Sequence, residues 1–342
     1  MTPEKLPLCT LLVTPARAAD MSLRDWETVI VQARKSKLLG LLHHVLSISG
    51  HAHHVPERVW NHLASAAQLV AEQHLSLGHE IRQILDALKS VDGRIVVLKG
   101  GAYVLRGLAA GHGRTFSDID ILVPREKLGE VEARLMVDGW VSQHRDAYDQ
   151  RYYRQWMHEL PPMRHIKRGS VLDVHHAILP PTARLKPDSA LLLVDAVAAG
   201  DDERIRVLAR PDMVLHSAAH LFADGELDGG LRNLWDIHCL LDEFADDNFW
   251  SELQSRAAHH GLWLPTRRAV RLAHRLYGTE VPTDWRKTHW QDGFYIRRLT
   301  ARDAWGRGTR PFLRLLFYIR SHWLRMPPLM LVRHLWTKWR KR

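Results

Sequence analysis

The sequence has little cysteine and no long apolar run. Its 342 residues include two cysteines, Cys9 and Cys239, which lie far apart. This excludes a disulfide framework and a zinc site built from paired cysteines, and it predicts a reducing, cytoplasmic environment. No window of 18 residues is wholly apolar, so no membrane-spanning helix is expected. The first residues lack a cationic start followed by a long apolar core, so a signal peptide is not expected either.

Acidic residues are scarce at the C-terminal end. Residues 286–342 contain fifteen Lys and Arg but only two acids, Asp292 and Asp303, and therefore carry a net charge of +13. The whole chain carries +10, so residues 1–285 sum to −3. The basic character of the protein therefore belongs to its C-terminal segment, and the overall charge says little about the rest of the chain.

The most informative stretch spans residues 95–123, which have the pattern of strand, glycine turn, helix, loop and strand. Residues 95–98 and 119–123 are short apolar runs with β-branched side chains, which favours buried strands. The tripeptide Lys99-Gly100-Gly101 interrupts the pattern after the first strand. A helix is predicted over residues 102–110.

Three aspartates occupy strand positions that bring carboxylates together. Asp118 and Asp120 lie two residues apart at the start of the second strand, so both point to one face. Asp173 lies in the alternating run 171–175, which predicts another strand; if the two strands are neighbours, the three carboxylates converge. Carboxylates this close repel each other unless a cation lies between them. Mg²⁺ suits such an all-oxygen site and takes its other ligands from nucleotide phosphates.

These motifs together resemble the DNA polymerase β-like nucleotidyltransferase superfamily, and the fuller pattern resembles a bacterial family called uncharacterised nucleotidyltransferase. The resemblance covers roughly residues 30–280. It is carried by Leu98-Lys99-Gly100, Arg114, Asp118-Ile119-Asp120-Ile121-Leu122-Val123, Leu172-Asp173-Val174-His175, and a helical segment with His216, His220, Arg232 and Leu234-Trp235-Asp236. The superfamily turn is commonly Gly-Ser, whereas the second position here is Gly101. A serine hydroxyl is therefore absent from this turn, which leaves backbone N–H groups to contact phosphate.

The resemblance implies an enzyme that moves a nucleoside monophosphate from a nucleoside triphosphate (NTP) to an acceptor hydroxyl and releases pyrophosphate. Two Mg²⁺ or Mn²⁺ ions suit such an in-line displacement. Asp118 and Asp120 are expected to bridge both ions, and Asp173 to complete the catalytic and metal-binding set on the acceptor side. The residues expected to bind the nucleotide are Lys99, Gly100, Gly101, Arg114, Ser117, His220 and Arg232.

Some of these residues have a structural alternative. His216 and His220, four apart on one helix face, either line the nucleotide cleft or are hydrogen-bonded core residues. Arg232 either reaches a phosphate, as the resemblance implies, or forms an ion pair with Asp236 in its own helix. His51, His53 and His54 lie between predicted helices beside Pro56, which favours a solvated loop over a metal site for the histidines of residues 43–54.

The resemblance favours a sugar, metabolite or peptide hydroxyl as the acceptor. A tRNA end, as for toxin-like relatives in the superfamily, is an alternative. A Walker A site is excluded, because Lys99 precedes the glycines and no Ser or Thr follows it. The other classes are a non-catalytic NTP-binding protein and an RNA-binding protein whose basic C-terminal segment contacts the nucleic acid.

The predicted fold is α/β (α+β), with a mixed nucleotidyltransferase sheet between helical regions. We predict an N-terminal helical region at 1–90, the catalytic core at 91–182, a helical domain at 183–285 and a basic tail at 286–342. Helices are predicted after an N-cap at Ser22, at 38–46, at 59–88, at 124–138 with Leu128, Val131, Leu135 and Met136 facing inward, and within 212–277. Strands are predicted at 140–142 and in a hairpin at 163–175.

Two segments leave alternatives open. Residues 149–158, rich in aromatics and arginines, predict a strand edge near the substrate, a nucleic-acid patch, or an aromatic core face with solvated arginines. Residues 311–342 predict two basic amphipathic helices separated by Pro327-Pro328. The apolar faces are Phe312, Leu315, Leu316, Ile319 and Trp323 in the first helix, and Leu331, Leu335 and Trp339 in the second.

This tail suits an anionic membrane surface, and hence a peripheral location, or an acidic protein partner. The alternatives are that its apolar faces pack on the catalytic body, or that it contacts nucleic acid, which is not favoured.

Overall fold

The computed structural model describes residues 6–327 except 145, 201, 225 and 228, together with residues 331 and 336. Over these residues the fold is mixed α/β, with a seven-stranded mixed sheet and helices at both ends, as predicted. The strands are β1 (Ile95–Val97), β2 (Ile119–Leu122), β3 (Trp140–Ser142), β4 (Met163–His165), β5 (Val171–His175), β6 (Val197–Ala198) and β7 (Ile205–Val207).

The longer helical elements surround this sheet. They are α1 (Pro7–Val13), α2 (Leu23–Lys35), α3 (Leu39–Ile48), α4 (Glu57–Ala87), α5 (Lys99–Leu105), α6 (Leu128–Val137), α7 (Ala147–Trp156), α8 (Ser189–Val194), α9 (Arg210–Ala219), α10 (Gly230–Phe244), α11 (Phe249–His259), α12 (Trp263–Tyr277), α13 (Asp292–Leu299) and α14 (Pro311–Arg325). A π-helical segment, His220–Asp224, follows α9 directly. None of the described helices is long and apolar enough to cross a bilayer.

The sheet has the strand order β3-β4-β5-β2-β1-β7-β6. β2 runs parallel to β5 and β1 runs parallel to β7, whereas the other neighbouring pairs are antiparallel. The register of β2 and β5 pairs Asp120 with Asp173. Because paired positions of neighbouring strands point to the same face, the two carboxylates share one side of the sheet. The predicted strand neighbourhood is therefore confirmed.

The N-terminal helices form as their apolar periodicity predicts. Ser22 caps α2, and its side chain and that of Asp25 form a reciprocal capping box. The 31 residues of α4 bury a stripe at helical spacing that includes Leu63, Leu77 and Ile84. The helix also reaches the β4–β5 hairpin, where Arg168 Nε lies 3.0 Å from Glu80 Oε1.

The glycine turn predicted at 99–101 is instead the first turn of α5. The helix begins at Lys99, whose positive φ of 47° turns the chain out of the strand, and it ends at Leu105. The glycines therefore serve close packing rather than interrupting the helix. A Cβ atom at Gly101 would lie 2.9 Å from Val97 Cγ1, so the position that is commonly serine in the superfamily faces β1 here.

Two local predictions are wrong. Residues 149–158 do not form a strand edge, because residues 147–156 are helical, and the rings of Tyr152 and Trp156 lie 5.9 Å apart, four residues along that helix. Met136 is 59% exposed rather than buried. Helix α6 turns Val131 and Leu135 inward, and the next residue lies about 100° further round the helix. The strand at 140–142 and the hairpin at 163–175 are confirmed.

One hydrophobic core joins residues of the N-terminal helices, the sheet and the C-terminal helices. Strands β6 and β7 belong to the sheet although they follow residue 182. The divisions at 90, 182 and 285 remain predictions. Cys9 and Cys239 are both buried and are not joined in a disulfide.

The C-terminal helix α14 carries its apolar stripe on the outer side. Phe312 is 83% exposed. The other exposed members of the stripe are Leu315, Leu316, Ile319 and Trp323. The inner side buries Phe317, Ser321 and His322. The interpretation that this apolar face packs on the body is therefore wrong. The second predicted helix lies outside the described residues, apart from Leu331 and Trp336.

Candidate active site

A cleft lies at the start of β2, between α5, the loop before β2 and helix α10. Its volume is about 720 Å³ when its open mouth is included. The predicted site residues that line it are Lys99, Gly100, Arg114, Ser117, Asp118, Asp120, His220 and Arg232. Gly101 and Asp173 do not line it; Gly101 faces β1, and Asp173 lies beside Asp120 on the neighbouring strand.

Asp120 is the most tightly held of the three aspartates. Its Oδ1 accepts hydrogen bonds from Lys99 Nζ at 2.7 Å and from His175 Nε2 at 2.9 Å. Burial alone would raise the pKa of this carboxyl, but the Lys99 ammonium and the His175 ring outweigh it and hold the pKa well below its usual range. Asp120 therefore stays ionised, with a side-chain cation beside it.

Asp173 has the opposite electrostatic environment. Burial raises its pKa to about 7, and the neighbouring carboxylates of Glu159 and Asp120 add to the shift. Its Oδ1 is buried and has no hydrogen-bond partner among the described residues. Removing a buried carboxylate oxygen from water without a partner is costly, so this atom marks a place where a cation would be stabilised.

The donor set at this edge of the sheet fits a hard divalent cation. Asp118 is partly exposed at the mouth of the cleft, where its Oδ1 accepts a hydrogen bond from Ser117 Oγ at 3.2 Å. Together with Asp120 and Asp173 it offers only carboxylate oxygens, which Mg²⁺ and Mn²⁺ prefer over nitrogen or sulfur ligands. These residues are thus suited to bind the ions that the family resemblance implies.

Arg114 lies against the first turn of α5. A Cβ atom at Gly100 would be 1.8 Å from Arg114 Nη1, so only glycine leaves room for the guanidinium. Arg114 Nε donates to Asp236 Oδ2 at 3.0 Å, and the guanidinium lies 5.6 Å from the centre of the Tyr103 ring. The interpretation of Asp236 as the intrahelical partner of Arg232 is wrong, because Asp236 pairs with Arg114 across two elements.

The N-terminal helices hold the loop that carries Arg114. His74 of α4 bonds through Nε2 to the Arg114 carbonyl oxygen at 2.9 Å. Gly113 has φ +63°, and a Cβ atom there would lie 2.4 Å from the backbone nitrogen of Leu41 in α3. The loop therefore rests directly on the backbone of α3, and residues at least 40 positions earlier in the chain fix the position of this arginine.

Arg232 and His220 complete the far wall of the cleft. Arg232 Nη1 donates to the Thr115 carbonyl oxygen at 3.4 Å, its Nε is buried without a partner, and no carboxylate among the described residues forms a salt bridge with it. Burial and the nearby Arg114 lower its pKa. Burial and Lys99 lower the pKa of His220 to about 3, so its ring is neutral in the cleft. His216 is buried and does not line the cleft.

Two residues in or near the cleft lacked a clear sequence signal. Tyr103 lies four residues after Lys99 and so shares its helix face, and its hydroxyl bonds to Ser217 Oγ at 2.6 Å. That spacing could have identified it. Glu159 has no motif around it; an isolated bridge to His175 brings it beside β5.

A family model described as uncharacterised nucleotidyltransferase matches residues 22–278. The chain belongs to this uncharacterised nucleotidyltransferase family. Membership supports a transferase that uses a nucleoside triphosphate. No curated protein matches the chain. The matched segment ends at the end of α12 and includes the whole cleft, from Lys99 to Asp236.

Proposed function

We propose that this protein is a metal-dependent enzyme that transfers a nucleoside monophosphate from an NTP to an acceptor hydroxyl and releases pyrophosphate. The observation that carries the proposal is the parallel pairing of Asp120 with Asp173, with Asp118 two residues before Asp120 at the mouth of the cleft. An acceptor with a sugar, metabolite or peptide hydroxyl is favoured. When bound, two Mg²⁺ or Mn²⁺ ions would stabilise charge on the attacking and leaving oxygens.

The protein's own residues have separate roles in this proposal. Asp118, Asp120 and Asp173 hold the ions. Arg232 is the cation best suited to a phosphate, because Asp236 already neutralises Arg114. Arg114 instead packs against Gly100 and shapes the floor of the phosphate site. Ser117 and the neutral His220, which both line the cleft, supply hydrogen bonds.

The acceptor is best sought by labelling. The full chain is incubated with each α-labelled NTP in turn, with Mg²⁺ or Mn²⁺ and a fractionated cell extract. We expect the label to move from one NTP to one small-molecule or peptide fraction, and to do so only with the divalent ion. Label in tRNA would support the toxin-like alternative. RNA binding with a steep salt dependence and no transfer of label would support a binding protein and contradict the proposal.

Lys99 provides a prediction with two opposite effects. Its ammonium lies 2.7 Å from Asp120 Oδ1, where it competes with a metal ion for the same carboxylate. Lys99→Ala should therefore tighten Mn²⁺ binding severalfold without nucleotide, measured by paramagnetic resonance. If the ammonium moves to a phosphate when NTP binds, the same change should also lower kcat/KM for NTP. The decrease should correspond to a loss of transition-state stabilisation on the order of 2–3 kcal/mol.

The matched control is Lys127→Ala, which removes a lysine 3.2 Å from Glu130 on the surface. It should leave both measurements unchanged. If Lys99→Ala leaves both the Mn²⁺ affinity and the NTP kinetics unchanged, this lysine takes no part in metal binding or nucleotidyl transfer.

We further propose that the exposed face of α14 docks on an anionic membrane surface. Phe312, Leu316 and Ile319 belong to an apolar stripe in a segment with +13 net charge. Arg314 is exposed on the same helix, and Trp290 and Trp305 are further exposed aromatics in this segment. Apolar side chains with tryptophan and arginine around them suit the boundary between headgroups and acyl chains, and each basic residue near anionic lipid adds about 1 kcal/mol.

Helix α14 is attached to the body through its other side, which limits how the docking can be tested. Arg320 Nη2 donates to the Phe222 carbonyl at 2.8 Å, and Thr182 Oγ1 donates to the Arg325 carbonyl at 2.6 Å. Arg184 Nε donates to the Trp323 carbonyl at 3.1 Å. Removing the helix would expose these groups and the buried Phe317, so substitutions on the outer side are a cleaner test than truncation at residue 310.

The substitutions Leu316→Asp and Ile319→Asp together should abolish docking without unfolding the protein. We expect the full chain to sediment with vesicles of phosphatidylcholine and phosphatidylglycerol, but not with phosphatidylcholine alone, and to be released by salt. The double variant should bind these vesicles at least about tenfold more weakly, because it lacks two large apolar side chains that the native chain buries in the membrane.

The control places the same charges elsewhere: Val137→Asp with Leu264→Asp, at two exposed apolar positions outside the tail. It should bind vesicles like the native chain. Equal binding of both double variants, or no vesicle binding by the native chain, would overturn membrane docking. Capture of a defined acidic protein through α14 instead of vesicles would also overturn it.

A further inference from the structure

A second group of metal-binding side chains lies behind Asp120, outside the nucleotide cleft. His158, Glu159 and His175 each offer one ligand atom, and these atoms lie within 4.8 Å of one another. Within the part of the chain that the structure describes, no other histidine, cysteine or acid group forms such a cluster. The two histidines are buried, and the Glu159 side chain is 16% exposed.

An unpartnered ring nitrogen marks this group as a site rather than a chance cluster. His158 is 6% exposed, and its Nδ1 is buried with no hydrogen-bond partner among the described residues. Its ring centre lies 5.2 Å from that of His175. A buried imidazole nitrogen without a partner loses its hydration and gains nothing in exchange, so a ligand at that atom would stabilise the fold.

His175 is already oriented as a metal ligand would be. Its Nε2 donates to Asp120 Oδ1 at 2.9 Å, while its Nδ1 lies 3.3 Å from Glu159 Oε2. A histidine that binds a metal through one ring nitrogen usually bonds through the other to a carboxylate, which fixes the ring and its tautomer. Asp120 occupies that supporting position.

We propose that His158, Glu159 and His175 bind a divalent transition-metal ion of the Zn²⁺ or Co²⁺ class. Two imidazoles and one carboxylate are a common donor set for such ions and a poor one for Mg²⁺, which prefers oxygen. With bonds of about 2.0–2.2 Å, the ligand atoms would draw together by roughly 1 Å or more from their widest separation, leaving a fourth position for water.

This site is distinct from the proposed catalytic ions and does not depend on the proposed function. The proposed catalytic set consists of carboxylate oxygens at the start of β2 and on the neighbouring β5, whereas this set consists mainly of ring nitrogens. The two sets meet at Asp120, which would face Mg²⁺ with one carboxylate oxygen and orient His175 with the other, and at Glu159, whose charge also acts on Asp173. A bound ion would fasten the segment 158–159 to β5 and thereby hold Asp120 in place.

The test uses the full chain, stripped with a chelator and titrated with Co²⁺ in an excess of Mg²⁺. We expect one Co²⁺ per chain with visible d–d absorption of the strength typical of four or five nitrogen and oxygen ligands. His158→Gln and Glu159→Gln should each weaken this binding at least tenfold, and Zn²⁺ should raise the melting temperature of the native chain only. Circular dichroism of both variants checks that they are folded.

Two further variants separate this site from its surroundings. His176→Gln changes the neighbouring histidine, whose Nε2 contacts the Met157 carbonyl, and should bind Co²⁺ normally. Asp173→Asn removes a proposed catalytic ligand and should also leave this Co²⁺ signal unchanged. The proposal is overturned if the native chain shows no such binding, if His158→Gln and Glu159→Gln bind like the native chain, or if Asp173→Asn abolishes the signal.

Discussion

Replacing Asp120 with Asn should reduce nucleotidyl transfer by about three orders of magnitude or more, on the order of 4 kcal/mol of transition-state stabilisation. Asp120 is the carboxylate that connects the cleft to β5, and an amide cannot neutralise a divalent ion. The measurement is initial rate with the labelled NTP and the acceptor found by fractionation. Retention of full activity would remove Asp120 from the proposed metal site.

The same substitution should also lower stability, because Lys99 loses its partner. Their contact of 2.7 Å is largely buried, and a neutral amide leaves the ammonium without a counter-ion. Because solvent still reaches Lys99 and reduces the cost of losing its partner, we expect the free energy of unfolding to fall by only about 1–3 kcal/mol. Glu130→Gln, which breaks the exposed Lys127 pair, is the control and should change stability by less than about 0.5 kcal/mol.

Asp173→Asn should abolish transfer to a similar extent but stabilise the metal-free protein. The raised pKa of Asp173, about 7, means that its charged form is unfavourable beside Glu159 and Asp120. Asn keeps the shape and removes that charge. At pH 8 in the presence of a chelator we expect a gain on the order of 1–2 kcal/mol, seen as a rise of a few degrees in melting temperature.

The gain should depend on pH in a defined direction. In the unfolded chain the Asp173 carboxyl ionises near pH 4, whereas in the folded chain it keeps its proton up to about pH 7. The native protein therefore loses stability through this group as pH rises from 4 to 7, and the loss is constant above 7. The benefit of Asn should be near zero at pH 4 and full at pH 8.

Mn²⁺ provides the complementary measurement for this variant. At pH 8 it should raise the melting temperature of the native chain, in which Asp173 is a ligand, and should raise that of Asp173→Asn much less. A gain that is the same at pH 4 and pH 8, or an equal response of both proteins to Mn²⁺, would contradict the assignment.

Local patterns in the sequence predicted the elements that carry the site. The alternation around Asp120 and Asp173 predicted two strands, and their parallel pairing is confirmed. The different electrostatic surroundings of the three aspartates were not predicted, however. Nothing in the spacing of the aspartates reveals that Lys99 neutralises Asp120 or that the charge of Glu159 opposes ionisation of Asp173. Lys99 and Asp120 are 21 positions apart, and the bond from His175 to Asp120 joins residues 55 positions apart, so these contacts depend on how the elements pack.

Amphipathic periodicity likewise identified the apolar stripe of α14 but did not predict that this stripe faces solvent. In α14 the five apolar residues share a face, yet the body binds the side with Phe317, Ser321 and His322. The Thr182 hydroxyl donates to the Arg325 carbonyl oxygen of this helix, a contact that a count of apolar side chains does not register. The pairing of Arg114 with Asp236 was not predicted for a related reason. Arg232 lies four residues before Asp236 in the same helix and was therefore the simpler partner to expect.

The contacts of the loop that carries Arg114 limit which fragment of this protein could be transferred into a chimera. It rests on the backbone of α3, is bonded by α4, and ends in an arginine that needs Asp236 from α10. A fragment limited to residues 91–182 would retain all three aspartates but would leave a buried guanidinium unpaired and its loop unsupported. The three aspartates proposed to be catalytic therefore cannot be transferred alone: a working chimera must inherit the chain from α3 to α10 together.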